Sequence, residues 1–213
     1  MPRFIPRLID TKYEKILAQE WSLARRVASA VIPSPPLTVW EVTIPPLFFI
    51  NFFRLKRARE TMALNFLFTK KLALEAAFNI IEKGKSLAEV KEQLKEKTGN
   101  ILAADKKGIY SAKIRQKQIQ EMEFLIEHYL LLFAAEGKDY AAMVKKAYLH
   151  REDYLAFLER LEKLEKEVYL AAMQTVKSTS AKEMAQQMEE ATYKIRRIDA
   201  DRMFPPSQPN QDQ

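Results

Sequence analysis

Apolar positions recur along the chain at intervals of three and four, and no strand-like alternation of any length interrupts them. That is the period of amphipathic helices. Residues 1–9 read as an extended arm punctuated by Pro2 and Pro6. Thr11 with Glu14 reads as a capping box, in which hydroxyl and carboxylate satisfy the free N–H groups of a helix start. Ile16, Leu17, Glu20, Trp21, Leu23, Ala24, Val27 and Ala28 then carry an amphipathic helix to about residue 32, with Arg25 and Arg26 near its end to complement its dipole.

A long helix is predicted over about 46–82, ended by Gly84. Its later part carries Met62, Phe66, Leu67, Leu74, Phe78 and Ile81 on one face, with Lys70 and Lys71 on another. Ser86 with Glu89 forms a second capping box, opening a short polar helix that stops at Gly99 and gives way to a loop over 99–108. Ile114, Met122, Leu125, Ile126, Tyr129, Leu132 and Phe133 mark a helix over 110–135, broken by Gly137. Asp139 caps a short helix over 140–149. The clearest helix spans 152–177, with Phe157, Leu161, Leu164, Val168 and Ala171 on one face and Glu159–Lys163 and Glu162–Lys166 as favourable pairs. Ser180 with Glu183 opens a last helix to about residue 200.

The fold class is therefore all-α, a bundle of five to seven helices whose main members lie near 56–82, 110–135 and 152–177. The chain divides into an N-terminal arm and amphipathic helix (1–36), an apolar and basic segment (37–59), the bundle (60–203) and a polar tail expected to be disordered (204–213).

One stretch departs from this regularity. Between Val27 and Phe53 the only ionisable side chain is Glu41. The stretch carries Pro33, Pro35, Pro36, Pro45 and Pro46, and ends in Leu47-Phe48-Phe49-Ile50-Asn51-Phe52-Phe53 before Arg54, Lys56, Arg57 and Arg59. A membrane span needs about 20 mostly apolar residues. Here the prolines and Glu41 break the run, and basic residues stand at both ends. Two short pieces joined by a Pro-rich corner fit better, with Pro46 in the first turn of the second helix. This pattern suits shallow or re-entrant contact from one side of a membrane. Trp40, Phe48, Phe49, Phe52 and Phe53 would enter the interface, and Arg54, Lys56, Arg57 and Arg59 would meet anionic headgroups. A groove for a protein partner is the other use of such a stretch, and packing onto the chain's own helices is the plain one; a homo-oligomer through helix faces is a separate expectation.

Charge sharpens the picture. The net +7 is unevenly spread: residues 1–120 hold 22 Lys and Arg against 11 Asp and Glu, while residues 121–213 hold 13 against 17. A basic first half suggests an anionic partner. Nucleic acid is the alternative to a membrane, read by Lys106, Lys107, Lys113, Arg115 and Lys117 around a helix start. The connection there is too long for a helix-turn-helix, which uses three or four residues.

Chemistry leaves few marks. The absence of cysteine excludes disulfides and thiol catalysis and favours a reducing compartment. Met1–Arg7 lacks the apolar core and small-residue cleavage site of a secretory signal. His128 and His150, the only histidines, do not complete the Glu-x-x-His pairs of a di-iron bundle, because Leu125 and Ala147 stand where the glutamates should. Glu75, Glu123 and Glu127 read as solvated or paired, His128 as a polar position between faces, and His150 as a junction residue. The four glycines stand too far apart for a phosphate loop. No catalytic, cofactor or metal residue is assigned. The expectation is a non-enzymatic interaction or scaffold protein of the cytoplasm, peripheral to the inner face of a membrane.

Overall fold

The apolar stripes bury themselves helix against helix. The computed structural model describes residues 8–33, 45–106, 108–175 and 179–205, without the side chains of 45–53 and 181. These residues form seven helices and no strand: α1 (Leu8–Val31), α2 (Pro45–Lys83), α3 (Leu87–Ala104), α4 (Ala112–Ala134), α5 (Tyr140–Tyr148), α6 (Arg151–Thr175) and α7 (Thr179–Met203). Among the described residues no helix is long and apolar enough to cross a membrane.

Several boundaries follow the local chemistry. Ser86 and Glu89 form the expected reciprocal capping box at α3. Asp139 accepts from the Ala142 N–H at 2.9 Å at the start of α5. Gly84, at φ +64°, ends α2 in the left-handed region that glycine enters without penalty. Two of the three capping boxes are corrected. α1 begins at Leu8 and α7 at Thr179, so Thr11 and Ser180 lie inside their helices. The same spacing of hydroxyl and carboxylate also serves as an ordinary i,i+3 pair within a helix. Gly99 does not stop α3 either. A glycine costs about 1 kcal/mol in a helix interior, and Arg115 of α4 ties this turn down by donating to Lys95 O at 2.7 Å and Thr98 Oγ1 at 3.1 Å.

The long helices close a ring. α1 packs on α2, α2 on α4, α4 on α6, α6 on α7, and α7 returns to α1; α3 and α5 brace it from outside. Lys12 Nζ, near the start of α1, donates to the carbonyls of Phe133 (2.7 Å) and Ala135 (2.9 Å) where α4 ends. A cation there offsets the partial negative charge of a helix C-terminus. At the opposite end of α1, Arg59 Nε of α2 donates to Ile32 O at 2.7 Å. The start of α1 thus meets the end of α4, and its end meets the first half of α2.

The interior holds two apolar clusters. One joins Ile16, Leu74, Leu125, Ile126, Tyr129 and Leu158; the other joins Leu23, Val27, Met62, Phe66 and Leu67. What lies between them is charged.

Candidate functional site

Each of the five ring helices sends one charged side chain into the layer between the clusters: Glu20 from α1, Lys70 from α2, Glu121 from α4, Glu165 from α6 and Arg196 from α7. All five are more than nine-tenths buried. The amphipathic stripes position them. Glu20 falls one turn after Ile16, and Lys70 falls between Leu67 and Leu74. Arg196 Nη1 donates to Glu165 Oε2 at 2.6 Å and Nη2 to Oε1 at 2.8 Å. Lys70 Nζ donates to Glu165 Oε1 at 2.7 Å, lies 3.8 Å from Glu121 Oε1, and sits over the Phe66 ring at 4.1 Å. Tyr129 donates to Glu20 Oε1 at 3.0 Å, and Glu20 Oε2 has no partner.

A ring of five charges cannot alternate in sign. Three carboxylates face two cations, and like charges adjoin where α4 meets α6. Burial lifts the Glu121 carboxyl to about 7, with Lys70 pulling against the rise and Glu165 adding to it. Burial would lift Glu165 too, but Arg196 and Lys70 outweigh it and hold that carboxyl well below the usual range. Glu20 is raised by burial, against the pull of Lys70, Arg196 and the Tyr129 hydroxyl. The layer therefore holds its protons unevenly: Glu165 is a fixed anion, and Glu121 is the group poised to change charge.

Two cavities touch this layer. One, of about 30 Å³, is lined by Glu20, His128, Tyr154 and Arg196, room for about one water. The other, of about 160 Å³, lies among α2, α4, α6 and α7 beside Lys70, Glu121 and Glu165.

Lys70 and His128 correct the sequence reading. Lys70 lies inside, while Lys71 is exposed. His128 is buried rather than between faces. It stacks on Phe157 at 4.2 Å, with Nδ1 2.6 Å from the Tyr148 hydroxyl. Burial, aided by the charge of Arg196, holds it neutral down to about 3. The local period places a residue on a face, but it does not say that a charge on that face will meet its partner 95 residues away. The signal available was a charge standing on an apolar stripe, as Glu20 does.

The residues singled out from the sequence lie elsewhere. Arg54, Lys56 and Arg57 are exposed on α2, whereas half-buried Arg59 turns to Ile32. Trp40 and the side chains of Phe48, Phe49, Phe52 and Phe53 lie outside the described residues, as does Lys107. Around the start of α4, Lys106 and Lys113 are exposed, and Lys113 donates to Gln174 at 2.9 Å. Arg115 is tied to α3, and Lys117 pairs with Glu167 at 2.7 Å. Three of that basic cluster are thus spent on holding helices together. Glu75 pairs with Lys71 and Lys97, and Glu123 with Lys91. Among the described residues no group of three or more His, Asp or Glu side chains is placed to hold a metal ion. Set against protein-family models, curated proteins and solved structures, the chain matches none of them.

Proposed function

We propose that the chain is a helical docking protein, without catalysis of its own, that rests on an anionic membrane surface through the start of α2. The observation that carries this reading is the continuity of α2. The helix runs unbroken over Pro45–Lys83, and α1 ends at Val31, beside Arg59. From Arg59 back to Pro45, α2 extends for about 21 Å at 1.5 Å per residue. Along its described part, the first buried side chain is Met62. The sequence of the extension is apolar and aromatic, and Arg54, Lys56 and Arg57 stand exposed where it joins the bundle. Basic residues near an anionic surface contribute about 1 kcal/mol each, and aromatic side chains suit the interface beneath the headgroups.

The test is flotation with anionic and with neutral vesicles. Wild type should float with the anionic vesicles and lose binding as salt screens the headgroups. Arg54→Glu/Lys56→Glu/Arg57→Glu should stay behind with unchanged helix content. Equal flotation of wild type and this variant would reject the proposal.

A further inference from the structure

We propose that the cavity among α2, α4, α6 and α7 binds a small organic cation, a primary alkylammonium of a few carbons, with its charged head at Glu121. The inference does not depend on the membrane reading. The cavity of about 160 Å³ equals the liquid volume of about five waters, enough for an ammonium head and a short alkyl chain. Beside the Lys70 ammonium and the Thr69 and Tyr169 hydroxyls, its lining carries the acceptors Glu121 and Gln118. Lys70 Nζ pairs with Glu121 at 3.8 Å, beyond hydrogen-bond range, and gives its short hydrogen bond to Glu165 at 2.7 Å. Both oxygens of Glu165 are held by Arg196. Gln118 Oε1 is buried without a partner. A ligand that satisfies Glu121 and Gln118 must therefore donate hydrogen bonds.

Charge points the same way. With all three carboxylates ionised, Glu20, Glu121 and Glu165 exceed Lys70 and Arg196 by one negative charge, and the two like charges adjoin beside the cavity. One cation neutralises the layer. Phe66, Val168 and Met188 supply apolar wall for an alkyl chain, which a bare metal ion seeking six or more oxygens would not use. Exposed Asn65 and half-buried Gln118 form the rim, and the floor at Lys70 and Glu121 is buried.

The carboxylate form of Glu121 is the form that binds. The charged groups facing it are Glu20 from α1, Lys70 from α2, Glu165 from α6 and Arg196 from α7. Burial, with Glu165 and Glu20, lifts its carboxyl to about 7 against the pull of Lys70 and Arg196, so ammonium binding expels a proton and strengthens as pH rises through that value.

The experiment is a titration of the full chain with n-propylammonium chloride at about pH 8, followed by the Met188 methyl resonance in methyl-labelled protein. Met188→Leu assigns the signal, and sodium chloride and 1-propanol serve as controls. A saturable shift in the millimolar range with propylammonium alone is expected. Binding should weaken at least about tenfold in Glu121→Gln, whose neutral amide keeps the shape and removes the buried charge. No saturable shift, an equal response to sodium or propanol, or unchanged affinity in Glu121→Gln would overturn the proposal.

Discussion

Arg196 holds Glu165 with both ends of its guanidinium, at 2.6 and 2.8 Å, while Lys70 takes one of the same oxygens at 2.7 Å. One carboxylate thus clamps three helices in the interior. Buried pairs of this kind contribute little over a well-packed apolar substitute, but breaking one by removing a partner costs about 3–5 kcal/mol, because the other charge stays behind. Glu165→Gln should lose about that much stability. The double variant Glu165→Met/Arg196→Met should lose less than the sum of its single changes, since neither charge of the pair is then left buried without the other. Urea unfolding of the four chains measures the coupling, and simple additivity would contradict the clamp.

Glu121 gives this layer a pH dependence of definite sign. Its carboxyl ionises near 4.5 in the unfolded chain and is raised to about 7 in the folded one. Its contribution to stability is therefore complete below 4.5 and is lost as the pH rises from there through about 7. Glu165, held low, behaves in reverse: its contribution is complete above 4.5 and fades as the pH falls below that value. Glu121→Gln should flatten the decline across 4.5 to 7, leaving the slope that raised Glu20 supplies. Urea midpoints across that interval read the change, and an unaltered slope would count against it.

His128 should stay neutral where an ordinary histidine is charged. Burial lowers its folded value from 6.5 to about 3, so its contribution is full above 6.5 and lost as the pH falls toward 3. Imidazole nitrogen shifts at about pH 5 should report a neutral ring for His128. A protonated ring at that pH would mean that the stack on Phe157 is open to water.

How much of this was legible in the chain depends on the distance over which each interaction acts. The helices were readable because their causes are local: an apolar residue every third or fourth position, Ser86 with Glu89, Asp139 before Ala142, and Gly84 at a left-handed turn. The charged layer was not, because its causes are remote. Lys70 reads as solvated until α6 and α7 bring Glu165 and Arg196 to it. Glu121 stands beside apolar Met122, where nothing local tells a buried carboxylate from an exposed one. Glu20 was the exception in plain view, a carboxylate one turn after Ile16. Arg115 misled in the opposite direction. Its place in a basic cluster suggested an external anion, whereas its donors serve the carbonyl of Lys95 and the hydroxyl of Thr98.

Two glycines should respond oppositely to alanine. Gly137 lies against the start of α5, and a Cβ there would stand 2.6 Å from Met143 N and 2.9 Å from Met143 Cγ. Gly137→Ala should cost about 1–3 kcal/mol through forced displacement. Gly99 sits within α3, and a Cβ there would find only Arg115 Nη2 at 3.7 Å, an ordinary contact. Gly99→Ala should stabilise by about 0.5–1 kcal/mol. Melting of the two variants checks both signs.

The claim that α2 meets a membrane with its first turns is tested most directly by site. The chain has no cysteine, so a single introduced thiol carries an environment-sensitive dye to one place. Ala58 is exposed among the basic residues of α2, and Glu136 is exposed just past α4, at the end of the bundle where Lys12 meets the α4 carbonyls. With anionic vesicles, the dye on Ala58→Cys should shift to the blue and gain protection from an aqueous quencher. The dye on Glu136→Cys should keep its spectrum. No response at position 58, or an equal response at both positions, would contradict the account.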